Sequence, residues 1–460
     1  MNLFQKAIGA IRSMFSVERE VKREFKIEPI ESAEMREAIQ TWSRIWSGDP
    51  TWKAEDARPI NFAKAITEET ARLVTLAAHV NVNGSARADW MQQRVELELL
   101  PFLRDAVERG CALGAFALKP TVDSIGVYTP AEYRITAVDG RRRVTGAVFY
   151  DTVQREGYTY TKAEYHRYEG ALYAISNRVY RMRDGDASAV SVSIDSVPEW
   201  VGIEAETRLE NIQDPLFSVF TMPAANNIDG TVNGVSIFAN ALPELAALDI
   251  AWSAMTDEIQ DSRPITLLDD RMLSESGSKY AVREVKLPRY VKNVLGTSME
   301  NFYQQIVNTL QADDRKTGIN LILSSIGYKC GFSNGYFAYD QKIGMMTATQ
   351  VESDDRRTIQ MIKDIRDRLQ TAIDGLLYAM DVYAELYHLA PYGSYQADYD
   401  FGDITYNFEE DRQNYKSLCQ LGVVPWWMYL VKFEGYGEAE AKAIVAEAGK
   451  TEKGLFGAEE

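Results

Sequence analysis

An α+β chain of several domains is predicted by three observations: helical spacing up to about residue 109, a β-rich stretch from Thr121 to Tyr180, and long helical patterns from Ser236 onward. With 460 residues and 46% apolar content the chain is long enough for about three domains with sizeable cores.

From Ile60 to Val82 the apolar spacing of Phe62, Ile66, Leu73 and Ala77 predicts helix, and so does Trp90, Leu97, Leu100, Leu103 and Val107 within Ala86 to Arg109. Pro101 should kink the second pattern or start a new helix there. Four segments, GVYTP, RVTGAVFY, YTYTKAEYHRY and ALYAISNRVYRM, are rich in valine, threonine and tyrosine and predict strands. Glu169-Gly170 reads as a hairpin turn. Loops follow through residues 184–234, with Trp200 and Val201 expected in a further strand.

Residues 236–263 step by three and four through Leu242, Leu245, Leu248, Trp252, Met255 and Ile259, a narrow apolar seam. Their other side carries Glu244, Asp249, Asp257, Glu258 and Asp261 against Arg263, and Pro243 should kink the helix or mark its first turn. Residues 264–299 lose helical spacing and hold the β-like pieces PITLL and YAVREVKLPRYV. A second helical stretch is expected from Ser298 toward Tyr328 through Phe302, Ile306, Leu310, Ile319, Ile322 and Ile326, with a break possible at QADDRKTG.

A loop rich in glycine, aromatics and methionine runs from Gly331 to Thr347, including Tyr336, Phe337, Tyr339, Gln341, Lys342, Met345 and Met346. Residue types leave core packing and a mobile loop touching a polymer near even. One long helix follows to Leu389, with apolar positions at Val351, Ile359, Ile362, Leu369, Ile373, Leu376, Met380, Tyr383 and Tyr387. Thr347 with Gln350, and Thr349 with Glu352, fit capping boxes at its start. Either it bends, with Gly375 the expected place, or it crosses the molecule. DYDFGDITYNF then alternates like a strand, and residues 409–450 read as short helices.

A formal charge of −17 argues against a general nucleic-acid-binding surface, because phosphate neutralisation needs an excess of lysine and arginine. Cys111, Cys330 and Cys419 are far apart and odd in number, so neither a disulfide framework nor a CxxC metal site is indicated. The longest uncharged apolar run, CALGAFAL at 111–118, is far short of the ~20 residues that cross a membrane. Residues 1–15 place Leu3, Phe4, Ile8, Ile11 and Phe15 on one side, with Lys6 and Arg12 interspersed. That pattern suits a packing or partner-docking helix better than a membrane-surface anchor.

No cofactor or catalytic residue is expected. Gly449, Lys450 and Thr451 lack the P-loop glycine, since Ile444 stands there, and Gly449 reads as a helix C-cap. Asp-Asp-Arg recurs at 269–271, 313–315 and 354–356. Solvated helix faces, inter-subunit ion pairs and a nuclease-type metal site are its three readings. His79, His166 and His388 are isolated in sequence, and no nucleophile–histidine constellation stands out.

The segments PLFSVFTMPAANNIDGTVNGVSIFANALPELAALDIAWSAMTDE and SIGYKCGFSNGYFAYDQKIGMMTATQVESDDRRTIQ resemble the portal proteins of tailed bacteriophages, in the branch typified by listerial and Bacillus siphophages. Departures are Gln350, Met346 and Pro243. The resemblance implies a ring-forming portal fold, usually of twelve subunits, set in the virion at one capsid vertex. Residues 1–235 would be N-terminal arm and wing, 236–263 the first stem helix, 264–299 the clip, and 300–330 the second stem helix. Residues 331–348 would be the tunnel loop, 349–408 the long helix and a wing strand, and 409–460 the crown. The implied partners are other copies of the chain, double-stranded DNA, the terminase large subunit, a head–tail adaptor, and major capsid and scaffold proteins, with no membrane. Tyr339, Gln341, Lys342, Met345 and Met346 would belong to the DNA-channel tunnel loop, with Lys342 near the channel axis and the methionines and aromatics packing between neighbouring subunits, and Asp257, Glu258 and Asp261 would line the stem and repel the duplex. A metal-dependent DNA-processing enzyme and a non-channel minor capsid protein are the alternatives.

Overall fold

The computed structural model describes residues 16–53, 58–122, 124–183, 186, 188–261, 265–269, 290–293, 303–306, 312–338, 348–402, 415–421, 423–434, 436–437 and 440–446. For Asp261, the strands at 265–269, 290–293 and 303–306, and residues 348–355 the description covers backbone alone. The architecture is mixed α+β in two units, Met1–Gly402 and Asp403–Glu460.

The first unit is organised around tyrosine- and valine-rich strands. β4 (Tyr133–Val138), β5 (Val144–Arg155), β6 (Tyr158–Glu169), β7 (Leu172–Arg183) and β8 (Val190–Val192) follow one another across an antiparallel sheet, and β9 (Glu206–Leu209) also pairs with β7. Both faces are covered, which is why β5 and β6 are buried in unbroken runs rather than alternately. On one face Val148 and Tyr150 pack with Val17 and Val21 of α1 (16–25). On the other, Ala147 and Phe149 meet Ala117, Tyr128 and Phe217. These belong to or adjoin a second sheet, in the order β10 (Ser218–Thr221), β2 (Ala115–Pro120), β3 (Ile125–Tyr128). Glu169 pairs with Leu172, so the hairpin turns on Gly170-Ala171, one residue later than predicted, with Gly170 at φ 65°. Trp200 and Val201 are not in a strand: Pro198–Trp200 is a single 3₁₀ turn whose Trp200 packs inward with Val179 and Val197.

α2 (Ala33–Trp46) and α3 (Phe62–Val74) are followed by β1 (His79–Asn83), where helix was predicted through Val82. HVNVN buries alternate residues and pairs antiparallel with β14 (Gln396–Asp400). Arg366 ends α3 by donating to the carbonyls of Leu73 and Val74 at 2.9 and 3.0 Å, and to those of Phe401 and Gly402. α4 (Ala86–Arg94) joins α5 (Leu100–Leu113) through a π-helical turn, Val95–Leu99, in which the Leu100 amide donates to the Val95 carbonyl. Pro101 lacks an N–H and would crowd the carbonyl four residues back, and the wider turn relieves this.

α6 (Leu242–Asp261) and α7 (Ala312–Lys329) flank β11 (Ile265–Asp269), β12 (Tyr290–Asn293) and β13 (Tyr303–Ile306). β11 lies between the other two, parallel to β12 and antiparallel to β13. The second helix therefore does not begin near Ser298, because Tyr303–Ile306 is taken up by pairing with β11. α8 (Ala348–Leu386) is helical for 39 residues without interruption, about 58 Å at the usual rise. Gly375 does not interrupt it: a Cβ there would stand 2.8 Å from the Ser218 hydroxyl, so its glycine admits β10. Arg87, 2% exposed, closes the far end of α8, donating to the Asp381, Ala390 and Pro391 carbonyls and to the Asp381 and Glu385 carboxylates. The second unit holds helices at 415–420, Trp426–Glu434 and 440–446, with buried Cys419, Tyr429 and Ala441.

Candidate functional site

α6 and α7 run antiparallel, tied at one end by Lys329 to Glu244 at 2.5 Å and at the other by Arg315 to Glu258. Leu245 and Leu248 of the predicted seam are buried, Trp252 and Met255 half-buried, and Ile259 is 51% exposed. The acidic side is less bare than the count of carboxylates predicts. Asp249 is buried, accepting from the Trp52 indole at 2.9 Å and the Ile60 amide at 3.0 Å, and Ser253 beside it accepts from the Arg58 amide at 2.8 Å. The Arg58 guanidinium in turn stands 3.8 Å from Asp257. Asp249→Ala should cost about 1–2 kcal/mol, since the half-buried Trp52 indole and Ile60 amide lose their acceptor, and limited proteolysis should then cut the segment around Trp52.

α7 ends in a Schellman turn: Phe332 N–H donates to the Gly327 carbonyl at 2.9 Å, Gly331 N–H to that of Tyr328 at 3.2 Å, and Gly331 takes φ 92°. Phe332, Tyr336 and Phe337 then pack on one another, tilted or edge to face, at 4.8–5.0 Å, and Phe337 meets Phe62 of α3 edge-on. Tyr336 also donates to Glu69, and Ser333 is joined to Thr358 of α8 at 2.9 Å. In this part of the predicted loop Phe332 is buried, Phe337 half-buried and Tyr336 38% exposed. Tyr339, Gln341, Lys342, Met345 and Met346, like the capping residue Thr347, lie outside the described residues. The same holds for residues 1–15 and Gly449. Thr349 is already inside α8, so its pairing with Glu352 does not start the helix.

Asp313 and Asp314 are exposed in the first turn of α7, where carboxylates favour the helix dipole. Among the described residues no group of three or more His, Cys, Asp or Glu side chains converges as a metal site, and no helix is long and apolar enough to cross a membrane. His166 is not isolated. Its Nε2 lies 2.8 Å from Glu164, which also meets Lys119 at 2.8 Å and Lys162 at 3.0 Å, while its Nδ1 shares a hydrogen bond with the Tyr173 hydroxyl at 3.0 Å. Burial alone would push the Glu164 carboxyl up, but Lys119, His166 and Lys162 outweigh it and hold it well below the usual range. Burial lowers His166. Lys119, Lys162, Glu164 and His166 are all buried between the two sheets, so the group locks packing. The signal was the pair Glu164 and His166, two apart on one strand face.

A cleft of about 1100 Å³ lies between the Asp139–Arg143 turn, β10 and the middle of α8. It was missed in sequence because its parts come mainly from three stretches, near residues 141–145, 213–234 and 368–378, far apart along the chain.

No family model and no curated protein matches the chain. Among solved structures, one described as "Neck of native GTA particle computed with C12 symmetry" aligns at TM-score 0.42 and 11% identity, covering 91% of this chain and 95% of that one. A likeness at that level carries no argument about function.

Proposed function

We propose that this chain is the subunit of a phage-type portal, a ring through which double-stranded DNA passes during packaging and ejection and on which the terminase and a head–tail adaptor dock. It has no catalysis of its own in this reading. What supports it is the succession of antiparallel α6 and α7 around a small sheet, a sharply turned loop and the 39-residue α8, in the same segments that carry the sequence resemblance. The channel charge in this reading is small for one subunit, because Glu258 is offset by Arg315 and half-exposed Asp257 faces Arg58 at 3.8 Å. Repetition around a ring would multiply that modest field.

Electron microscopy of the purified chain, alone and with a scaffold protein, should show rings with a central hole. A strictly monomeric protein at high concentration would overturn the reading. Lys342→Glu should shorten packaged DNA while leaving rings intact, and packaged DNA of normal length in that variant counts against a channel role for the loop.

A further inference from the structure

We infer that the cleft beside β10 is a docking site for an extended acidic peptide, which adds as a strand to the free edge of β10. The inference is independent of the portal reading. β10 is an outer strand of its sheet, paired with β2 alone. Met222 N–H donates to the Gly114 carbonyl at 2.9 Å, in the rung that follows Thr221 opposite Ala115. Bonded and non-bonded rungs alternate in an antiparallel pair, so Ser218 and Phe220 direct their amides and carbonyls to β2, and Val219 and Thr221 direct theirs away from it. No described residue takes up these outward groups. Ser218, Val219 and Thr221 all line the cleft and no residue of β2 does, so it runs along the open edge.

The walls carry the charge. Arg141, Arg142, Arg143 and Arg368 line the cleft against Asp214 and Asp374. Both aspartates are occupied, Asp214 by Arg143 at 3.3 Å and Asp374 by the Tyr399 hydroxyl at 2.5 Å. Arg141 and Arg368 are exposed, and neither side chain makes an ion pair or hydrogen bond with any described residue. The turn presenting Arg141 is fixed, since Asp139 accepts from the Arg141 and Arg143 amides at 2.9 and 2.8 Å. In a chain of net charge −17, this concave site with unpaired guanidinium groups on both walls selects anions, and the strand edge between them selects an extended backbone. A nucleic-acid strand would use the arginines and leave the four main-chain groups unmet.

The test is fluorescence anisotropy of the full chain with a capped, dye-labelled heptapeptide of alternating valine and glutamate. The Arg141→Ala/Arg368→Ala variant should unfold at the wild-type temperature and bind at least about tenfold more weakly. Of two peptides N-methylated at complementary alternate positions, one should lose binding and the other retain it. Absence of binding, equal binding of both methylated peptides, or equal binding of a lysine counterpart would each overturn the proposal. So would tighter, arginine-dependent binding of a single-stranded oligonucleotide of equal charge, which would make the cleft a phosphate site.

Discussion

Gly234→Ala should cost roughly 3 kcal/mol or more and sharply reduce the yield of folded protein. A Cβ at Gly234 would stand 1.8 Å from the Gly114 carbonyl oxygen and 3.2 Å from the Met222 amide nitrogen. Those atoms are backbone, held where α5 passes into β2 and just beyond the end of β10, so no rotamer change relieves the clash. Gly114 meets the same restriction from the other side: its φ is 87°, and a Cβ on it would lie 2.2 Å from the Gly234 carbonyl. The two glycines let the segment entering α6 cross the start of β2 in main-chain contact, and Ile237 N–H then donates to the Cys111 carbonyl at 2.9 Å. Gly140→Ala is the matched control, since a Cβ there meets nothing within 4 Å, and its thermal unfolding should stay within about 0.5 kcal/mol of wild type. Equal effects from the two substitutions would mean that Gly234 serves flexibility rather than close approach.

What could be read from sequence follows from how far each signal reaches along the chain. The long α8 was legible because Ile362, Leu369, Ile373, Leu376, Met380 and Tyr383 repeat at helical spacing, and all are buried. β5, β6 and β7 were legible because tyrosine, valine and threonine cluster in them between turn residues. The HVNVN strand was lost because two valines in five residues give too short a period-two signal beside a strong helix. Tyr303–Ile306 was lost because Phe302, Ile306 and Leu310 also fit a helix, and the partner that decides the matter, β11, lies some forty residues earlier. Charge was misread for a similar reason. Glu244, Asp249 and Glu258 are acidic on one helix, but Lys329, the Trp52 indole and Arg315 come from elsewhere in the chain to meet them. Sequence counts charges and does not say which are paired.

Glu164→Gln should destabilise the protein by about 3–5 kcal/mol, because it leaves the ammonium of Lys119, 1% exposed, without its carboxylate. Lys162 keeps Asp151 at 3.0 Å, whereas Lys119 is left with the faces of Tyr128 and Phe149 at 5.1 and 5.0 Å. Adding Lys119→Met removes the stranded charge and should recover a large part of the loss, giving a coupling of at least about 1 kcal/mol in a double-mutant cycle by urea denaturation. Simple addition of the two effects would mean that water reaches the site. The same network contributes to the acid limb of stability. His166 is lowered from its ordinary 6.5 and Glu164 from its ordinary 4.5, so at acid pH the unfolded chain binds more protons than the folded one. Stability should therefore decline as pH falls below about 6.5 through His166 and decline further below about 4.5 through Glu164. In Glu164→Gln the second decline should lose this carboxylate's share while the first remains, because the imidazole is still buried and costly to charge. An acid limb unchanged by Glu164→Gln would show that the carboxylate titrates as it does in water.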